Sequence, residues 1–157
     1  MPDSGSIKIK PAKLEDAEIV RQLVRTAYAK WVPVLGREPL PMKADYARAI
    51  RDHDIDLVYA DEKLVALIEI IMAPDHVFIE NIAVLPEHQG QGLGRKLLAR
   101  AEQTALQAGL NEIRLLTNAV FEANIRLYQS VGFCIDKQEP FMGGAAVHMS
   151  KALVRRW

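Results

Sequence analysis

The stretch that decides the fold is Gln89-Gly90-Gln91-Gly92-Leu93-Gly94, which joins an apolar strand pattern to an amphipathic helix pattern. Its three glycines allow the backbone to turn tightly and to approach a ligand closely, because no Cβ intervenes. The first N–H groups of a helix lack partners inside the helix, and the helix dipole adds positive charge at the same end. The loop is therefore predicted to bind a phosphate group.

Two common phosphate-binding motifs do not match this loop. A Rossmann motif requires a third glycine at the position of Arg95, and a P-loop requires Gly-Lys followed by Ser or Thr, which is absent. The pattern that remains is Gln89-x-x-Gly92-x-Gly94, placed between a strand and a helix.

The spacing of apolar residues along the rest of the chain predicts strands that alternate with helices. Strands are predicted at residues 7–10, 55–60, 64–72, 77–85, 113–116, 133–136 and 146–150, and helices at 17–31, 42–50, 93–108 and 122–131. Pro33 is expected to end the first helix. This order predicts a mixed α/β (α+β) fold in a single domain over residues 1–157, with helices on both faces of one sheet.

Composition excludes several classes of protein. Lys plus Arg equals Asp plus Glu at 20 each, which argues against binding to nucleic acid or to an anionic membrane surface. The one cysteine, Cys134, leaves no intramolecular disulfide and no zinc-binding pattern, and it is expected to be a small buried residue. These features favour a cytoplasmic protein without a metal site.

The glycine pattern resembles the pyrophosphate-binding signature of the GCN5-related N-acetyltransferase (GNAT) family, in which it holds coenzyme A. Three further segments resemble the same family. Residues 82–89 resemble its fourth strand and the loop that follows, and residues 148–151 resemble its last strand. Its second signature is resembled by Asn124-x-x-Leu127-Tyr128-x-x-x-Gly132-Phe133. The resemblance implies a mostly antiparallel sheet of about six to seven strands and about four helices, in which strands 4 and 5 separate.

The resemblance also implies a cofactor, acetyl-CoA, and a set of residues that bind it. These residues are Ile82, Ala83, Val84, Gln89, Gly90, Gln91, Gly92, Leu93, Gly94, Arg95, Asn124 and Tyr128. The pantetheine arm would lie between strands 4 and 5, with the backbone N–H of Val84 facing the thioester carbonyl. Donors aimed at developing oxyanion charge usually supply a large catalytic contribution.

Tyr128 is the predicted general acid. Asn124 and Tyr128 are four residues apart and share one helix face, and Gly132 stands where a helix ends in left-handed geometry. A phenol remains a proton donor at neutral pH. In the resembled family this tyrosine protonates the departing CoA thiolate, and the asparagine contacts the cofactor.

Glu80 is the predicted general base, because an amine acceptor arrives protonated and must lose a proton before attack. Glu80 interrupts an apolar strand and shares a face with Phe78 and Ile82, where burial would raise the pKa of its carboxyl. A half-exposed carboxylate paired with a neighbouring strand fits the same pattern. His53 and His76 are weaker candidates, and a water chain without a dedicated base stays open.

The acceptor is expected near two loops, through Tyr28, Trp31, Arg37 and Phe141. Arg37 either pairs with a carboxylate of the acceptor or is a solvated surface residue. The predicted function is transfer of the acetyl group of acetyl-CoA to a primary amine of a small molecule or peptide, by direct attack in a ternary complex. Alternatives are a non-catalytic acyl-CoA sensor and a nucleotide-binding protein, and a homodimer is possible within the family.

Overall fold

The computed structural model describes residues 6–154 of the 157, and every structural statement concerns these residues. The strands are Ile7–Pro11 (β1), Asp54–Ala60 (β2), Lys63–Met72 (β3), Val77–Val84 (β4), Glu112–Asn118 (β5), Cys134–Phe141 (β6) and Gly144–Ala152 (β7). The helices are Ala17–Tyr28 (α1), Val32–Leu35 (α2), Tyr46–Asp52 (α3), Leu93–Gln107 (α4) and Glu122–Ser130 (α5).

The strands form one sheet in the order β1-β2-β3-β4-β5-β7-β6. Pairing is antiparallel in β1–β2, β2–β3, β5–β7 and β6–β7, and parallel in β4–β5. The parallel register joins Val77–Ile79 to Ile113–Leu115, although both strands continue beyond these residues. The predicted mixed α/β fold and the separation of the fourth and fifth strands are confirmed.

The chain divides into two compact units, so a single domain over residues 1–157 stays a prediction. The first unit contains the chain up to Ile70 together with Asn81–Gly94. Its core includes Val20 and Val24 of α1, which lie on the apolar stripe of that helix, and Leu57 and Leu67 of the adjacent strands β2 and β3.

The second unit contains Ile71–Glu80 together with the chain from Arg95 onward. Its core joins Leu97 of α4 to Ile113 of β5 and Met149 of β7, all about 1% exposed or less. Alternation along β5 buries Ile113 and Leu115 and leaves Leu116 exposed, as expected for strands with one covered face.

Three local predictions are wrong, each for a stereochemical reason. Pro33 does not simply end a helix: it lies in the first turn of α2, where proline is accepted, and Gly36 at φ 74° ends that helix. β6 continues to Phe141, so the expected loop before the last strand is a two-residue turn, with Met142 at φ 48° and Gly143 at φ 83°. Cys134 is exposed, because β6 is an edge strand whose residues are all exposed.

None of the helices between residues 6 and 154 combines the length and the apolar character that a membrane crossing requires. Within the same range, no group of three or more His, Cys, Asp or Glu side chains is arranged to hold a metal ion.

Candidate active site

The glycine loop presents its main chain to open space. Gly90 and Gly92 adopt φ values of 79° and 84°, in the left-handed region that favours glycine, and a Cβ added at either position would meet nothing within 4 Å. The loop ends at the buried Leu93, the first residue of α4. An exposed backbone turn at the start of a long helix suits an anion such as the diphosphate of CoA.

The Gln89 side chain ties this loop to the rest of the first unit. Its Nε2 donates to the carbonyl oxygen of Val84 at 3.0 Å, and its Oε1 accepts from Nζ of Lys30 at 2.8 Å. The sequence predicts Gln89 as a cofactor contact, whereas the structure uses its amide to fix the end of β4. The second N–H of this amide and the main chain of Gln89 remain for a cofactor.

Arg95 lies at the exposed start of α4 and is held by the end of α5. One guanidinium nitrogen donates to Oγ of Ser130 at 2.9 Å, and that hydroxyl donates to the carbonyl oxygen of Leu127 at 2.6 Å. A guanidinium carries five N–H donors, so this bond leaves capacity for an anion. The predicted role of Arg95 at a phosphate is compatible with this geometry.

Tyr128 is fixed by the way α5 ends. Gly132 adopts φ 104°, the N–H of Phe133 donates to the carbonyl oxygen of Tyr128 at 3.0 Å, and the two aromatic rings lie 5.9 Å apart. This is the left-handed helix end that the Gly132-Phe133 pair predicts. Asn124 lies one turn earlier on the same helix and is half-buried.

The Tyr128 hydroxyl is buried without a hydrogen bond to any other described residue. Burial raises the pKa of this phenol to about 12, so it stays protonated at neutral pH. A buried hydroxyl that makes no hydrogen bond costs about 1–3 kcal/mol, and such groups are few in native proteins. An unused buried donor suits a site where a ligand supplies the acceptor.

Glu80 is exposed, which contradicts the burial on which its predicted role depends. Alternation along β4 buries the residues of the other face, namely Val77, Ile79, Asn81 and Ala83. Glu80 therefore lacks the burial on which its predicted role as a base depends. Its use as a base stays a prediction without support from burial.

Asn81 is a buried polar residue that the sequence analysis missed. Its Oδ1 accepts from the Tyr28 hydroxyl at 2.7 Å, and its Nδ2 donates to the Tyr46 oxygen at 3.3 Å. The Tyr46 hydroxyl in turn donates to the carbonyl oxygen of Pro41 at 2.6 Å. The chain of bonds joins α1, α3 and β4 within the first unit. The sequence signal that could have identified Asn81 is an amide side chain within the otherwise apolar pattern of β4.

The four predicted acceptor residues have different environments. Tyr28 bonds Asn81, and half-buried Trp31 has the Lys30 ammonium 5.4 Å from its ring centre. Arg37 is half-buried and donates to the carbonyl oxygen of Glu38 at 3.3 Å, and Phe141 in the second unit is 37% exposed. Tyr28 is therefore engaged in the network of the first unit, while Arg37 and Phe141 keep accessible surface.

Three histidines form hydrogen-bonded pairs with carboxylates. His53 pairs with the buried Glu69 at 2.6 Å, and His76 pairs with the neighbouring Asp75 at 2.7 Å. His148 of β7, which the sequence analysis did not single out, pairs with Glu139 of β6 at 2.7 Å through its Nε2. The bonds from His76 and His148 lower the pKa of Asp75 and of Glu139 below the usual range.

Comparison with known proteins gives a family and a fold. A model of the acetyltransferase (GNAT) family matches residues 19–133. The L-amino acid N-acyltransferase MnaT of Escherichia coli (strain K12) is 37% identical over 68 residues, which are 43% of this chain and 40% of that protein. The chain thus matches less than half the length of this relative.

Solved structures extend the likeness over nearly the whole chain. The PaiA N-acetyltransferase of Thermoplasma acidophilum, in complex with coenzyme A, has a TM-score of 0.83 at 20% identity and covers 94% of this chain and 99% of its own. A GNAT family acetyltransferase of Elizabethkingia anophelis with acetyl-CoA bound has a TM-score of 0.69 at 17% identity, over 94% and 98% of the chains. The ligands of these two structures agree with the predicted cofactor.

Proposed function

Because the chain belongs to the acetyltransferase (GNAT) family, we propose that it transfers the acetyl group of acetyl-CoA to a primary amine of a small molecule or peptide. The amine attacks directly, in a complex that holds both substrates. The observation that carries this proposal is the exposed backbone turn at Gly90 and Gly92, which leads into the first turn of α4.

The cofactor would be held mainly by main-chain groups. N–H groups of the loop from Gln89 to Gly94 would bind the diphosphate, with Arg95 adding a cation at the start of α4. Residues Ile82–Val84 would run along the pantetheine arm. Asn124 and Tyr128, which share a face of α5, would contact the thiol end.

Acetyl-CoA supplies an activated acetyl group with a thiol as leaving group. Tyr128 would give its proton to that thiol as it departs, because its phenol is protonated at neutral pH and its hydroxyl donates to no described residue. General acid catalysis contributes about 10²–10⁴ in rate.

Fewer residues can be assigned to binding of the acceptor. Arg37 and Phe141 keep the surface needed to contact an acceptor, and Tyr28 would act through its bond to Asn81. Glu80 is exposed, so burial gives no support for its use as the base. The homodimer, the cytoplasmic location and the absence of nucleic-acid and membrane partners stay predictions.

The test is release of free CoA when the purified protein is mixed with acetyl-CoA and a panel of amines: amino acids, polyamines, lysine peptides and peptide N-termini. Thermal unfolding with CoA, ATP or NAD runs in parallel, because a ligand at 100 times its Kd stabilises by about 2.7 kcal/mol. We expect stabilisation by CoA and thiol release with at least one amine.

Two results would overturn the proposal in different ways. Stabilisation by ATP or NAD but not by CoA would indicate a nucleotide-binding protein. Stabilisation by CoA with no thiol release from any amine would indicate an acyl-CoA sensor of the same fold.

A further inference from the structure

The second unit has a strand face that carries polar and exposed side chains. Register places Leu116 of β5, His148 of β7 and Lys137 of β6 in one row across three strands. Leu116 is 45% exposed and His148 is 31% exposed, whereas Leu115 and Met149 on the opposite face are buried. His148 therefore lies in the middle of an accessible surface, on the central strand of three.

Glu139 orients the imidazole of His148. The bond from Nε2 to Oε1 is 2.7 Å long, and it lowers the pKa of the Glu139 carboxyl, so that this group is ionised at neutral pH. An ionised carboxylate only accepts hydrogen bonds, so a neutral His148 donates from Nε2 and keeps its lone pair on Nδ1. A fixed tautomer beside a carboxylate is the arrangement of a general base.

The other two histidine–carboxylate pairs lie elsewhere in the fold, one with a buried carboxylate and one in a turn. Glu69, the partner of His53, has a side chain only 5% exposed, and His76 and Asp75 are sequence neighbours in the turn between β3 and β4. His148 is paired in register with Leu116, which is the first residue of β5 beyond the last pair between β4 and β5. It thus lies one strand away from the point where β5 leaves β4.

We propose that His148, held by Glu139, accepts the proton of the acceptor's ammonium group. This inference rests on the proposed function and names a group that could act in place of Glu80. The ammonium N–H bond breaks and a bond to Nδ1 forms, which frees the nitrogen lone pair to attack the acetyl carbon. The C–N bond forms as the C–S bond breaks, and Tyr128 protonates the sulfur. The second amine proton leaves to solvent, which reprotonates Tyr128, and His148 then releases the proton on Nδ1 to solvent.

Charged groups around His148 come from both flanking strands. Lys137 and Glu139 lie on β6, and Arg114 lies on β5 with Glu112 as its partner at 2.8 Å. The hydrogen bond from Arg114 to Glu112 raises the pKa of Arg114 most, and the charge of Asp136 at the bulge of β6 raises it further. Glu139 is the group that bonds the ring, so its replacement tests how the ring is held.

The experiment compares His148→Gln, Glu139→Gln and Glu80→Gln, with Glu112→Gln as the control, because Glu112 is a carboxylate of the neighbouring strand β5 that bonds Arg114 at 2.8 Å and has no proposed role in the reaction. Steady-state kcat/KM is measured with an accepted amine from pH 6 to pH 10. We expect His148→Gln to lose about 10²–10⁴ at neutral pH. The deficit shrinks as pH rises, because the free amine becomes abundant.

Glu139→Gln is expected to lose less than His148→Gln, because the amide oxygen of Gln can still accept the hydrogen bond from Nε2. Glu112→Gln keeps the wild-type profile, and CoA affinity, measured by calorimetry, is unchanged in all four variants. A His148→Ala protein is expected to regain activity with added imidazole, which a purely structural role would not give.

Two results would overturn this assignment. A His148→Gln protein with wild-type kcat/KM at every pH would refute it while leaving the proposed function intact, and a pH-dependent loss in Glu80→Gln alone would return the role to Glu80. A wild-type protein that binds CoA but acetylates no amine would instead remove the proposed function, and this inference with it.

Discussion

Two buried polar side chains, Asn81 in the first unit and Tyr128 in the second, differ in whether their polar atoms make hydrogen bonds. Asn81 is 5% exposed and bonds two tyrosine hydroxyls, at 2.7 and 3.3 Å. Tyr128 is 9% exposed, and its hydroxyl bonds nothing else in residues 6–154. Both groups lost their water on folding, but only one regained hydrogen bonds.

The difference separates a group that supports the fold from one that is reserved for a ligand. A satisfied buried network fixes the elements it joins, here α1, α3 and β4. An unsatisfied buried donor reduces stability, so its retention is explained best by function. The two residues should therefore respond differently to mutation: Asn81 chiefly in stability and Tyr128 chiefly in rate.

The largest effect is expected for Tyr128→Phe. Loss of the proton donor should lower kcat by about 10²–10⁴, because the thiol then leaves as a thiolate. The free energy of unfolding should stay constant or rise, because the lost hydroxyl made no hydrogen bond. Thiol-release kinetics and urea unfolding measure the two quantities on the same preparation.

A Tyr128→Phe protein that is less stable by 2 kcal/mol or more at neutral pH would break the contrast, since it would mean that the hydroxyl is satisfied in the folded state. Retention of full turnover would remove Tyr128 from the proton-transfer step.

The raised pKa of Tyr128 predicts a pH effect on stability. Its folded-state pKa of about 12 lies above the usual value of 10, so its contribution is complete below pH 10 and is lost as pH rises toward 12. Wild type should lose about 3 kcal/mol relative to Tyr128→Phe across this interval. Urea unfolding of both proteins at several pH values measures the difference, which cancels the titration of other groups. A constant difference from pH 9 to pH 12 would contradict the burial of the phenol.

Asn81→Leu tests whether the hydrogen bonds of the buried Asn81 stabilise the fold. The substitution removes the 2.7 Å acceptor of the Tyr28 hydroxyl and leaves the longer bond to the carbonyl oxygen of Ile82 at 3.4 Å, which should cost about 1–3 kcal/mol. Urea unfolding measures the loss. Asn118→Leu is the control, because Asn118 is a half-buried amide at the end of a strand, and its side chain accepts a hydrogen bond from the N–H of Val120 at 3.0 Å in an exposed turn. Equal losses in the two variants would show that the network around Asn81 adds nothing specific.

The features that the sequence predicts are those that depend on local backbone geometry. Gly90 and Gly92 at positive φ and the left-handed end of α5 at Gly132 were all readable, because few residues other than glycine accept these conformations. The same rule has exceptions at Met142 and Asp61, which adopt positive φ in hairpin turns without being glycine. Turn geometry enforced by two paired strands overrides the preference of the single residue.

The features that it missed depend on contacts between distant segments. Asn81 meets Tyr28 and Tyr46 from 53 and 35 residues away, and no local pattern encodes that meeting. The bond between His148 and Glu139 depends on the register of β6 against β7, which a bulge shifts near Asp136. Exposure of Glu80 follows from which face of β4 is covered, and alternation alone leaves that choice open.

The smallest effect, and the sharpest control, comes from two glycines in matched conformations. Gly92 and Gly143 adopt φ of 84° and 83°, and an added Cβ meets nothing within 4 Å at either position. Alanine should therefore strain both turns equally, by about 1 kcal/mol. Only Gly92 lies in the loop proposed to hold the diphosphate, where a methyl group would hinder approach of the ligand.

Calorimetric titration with CoA should show about a tenfold weaker Kd for Gly92→Ala, which corresponds to about 1.4 kcal/mol, and an unchanged Kd for Gly143→Ala. Equal Kd values in the two variants would mean that the ligand does not approach the main chain at residue 92, and the diphosphate would have to be bound elsewhere.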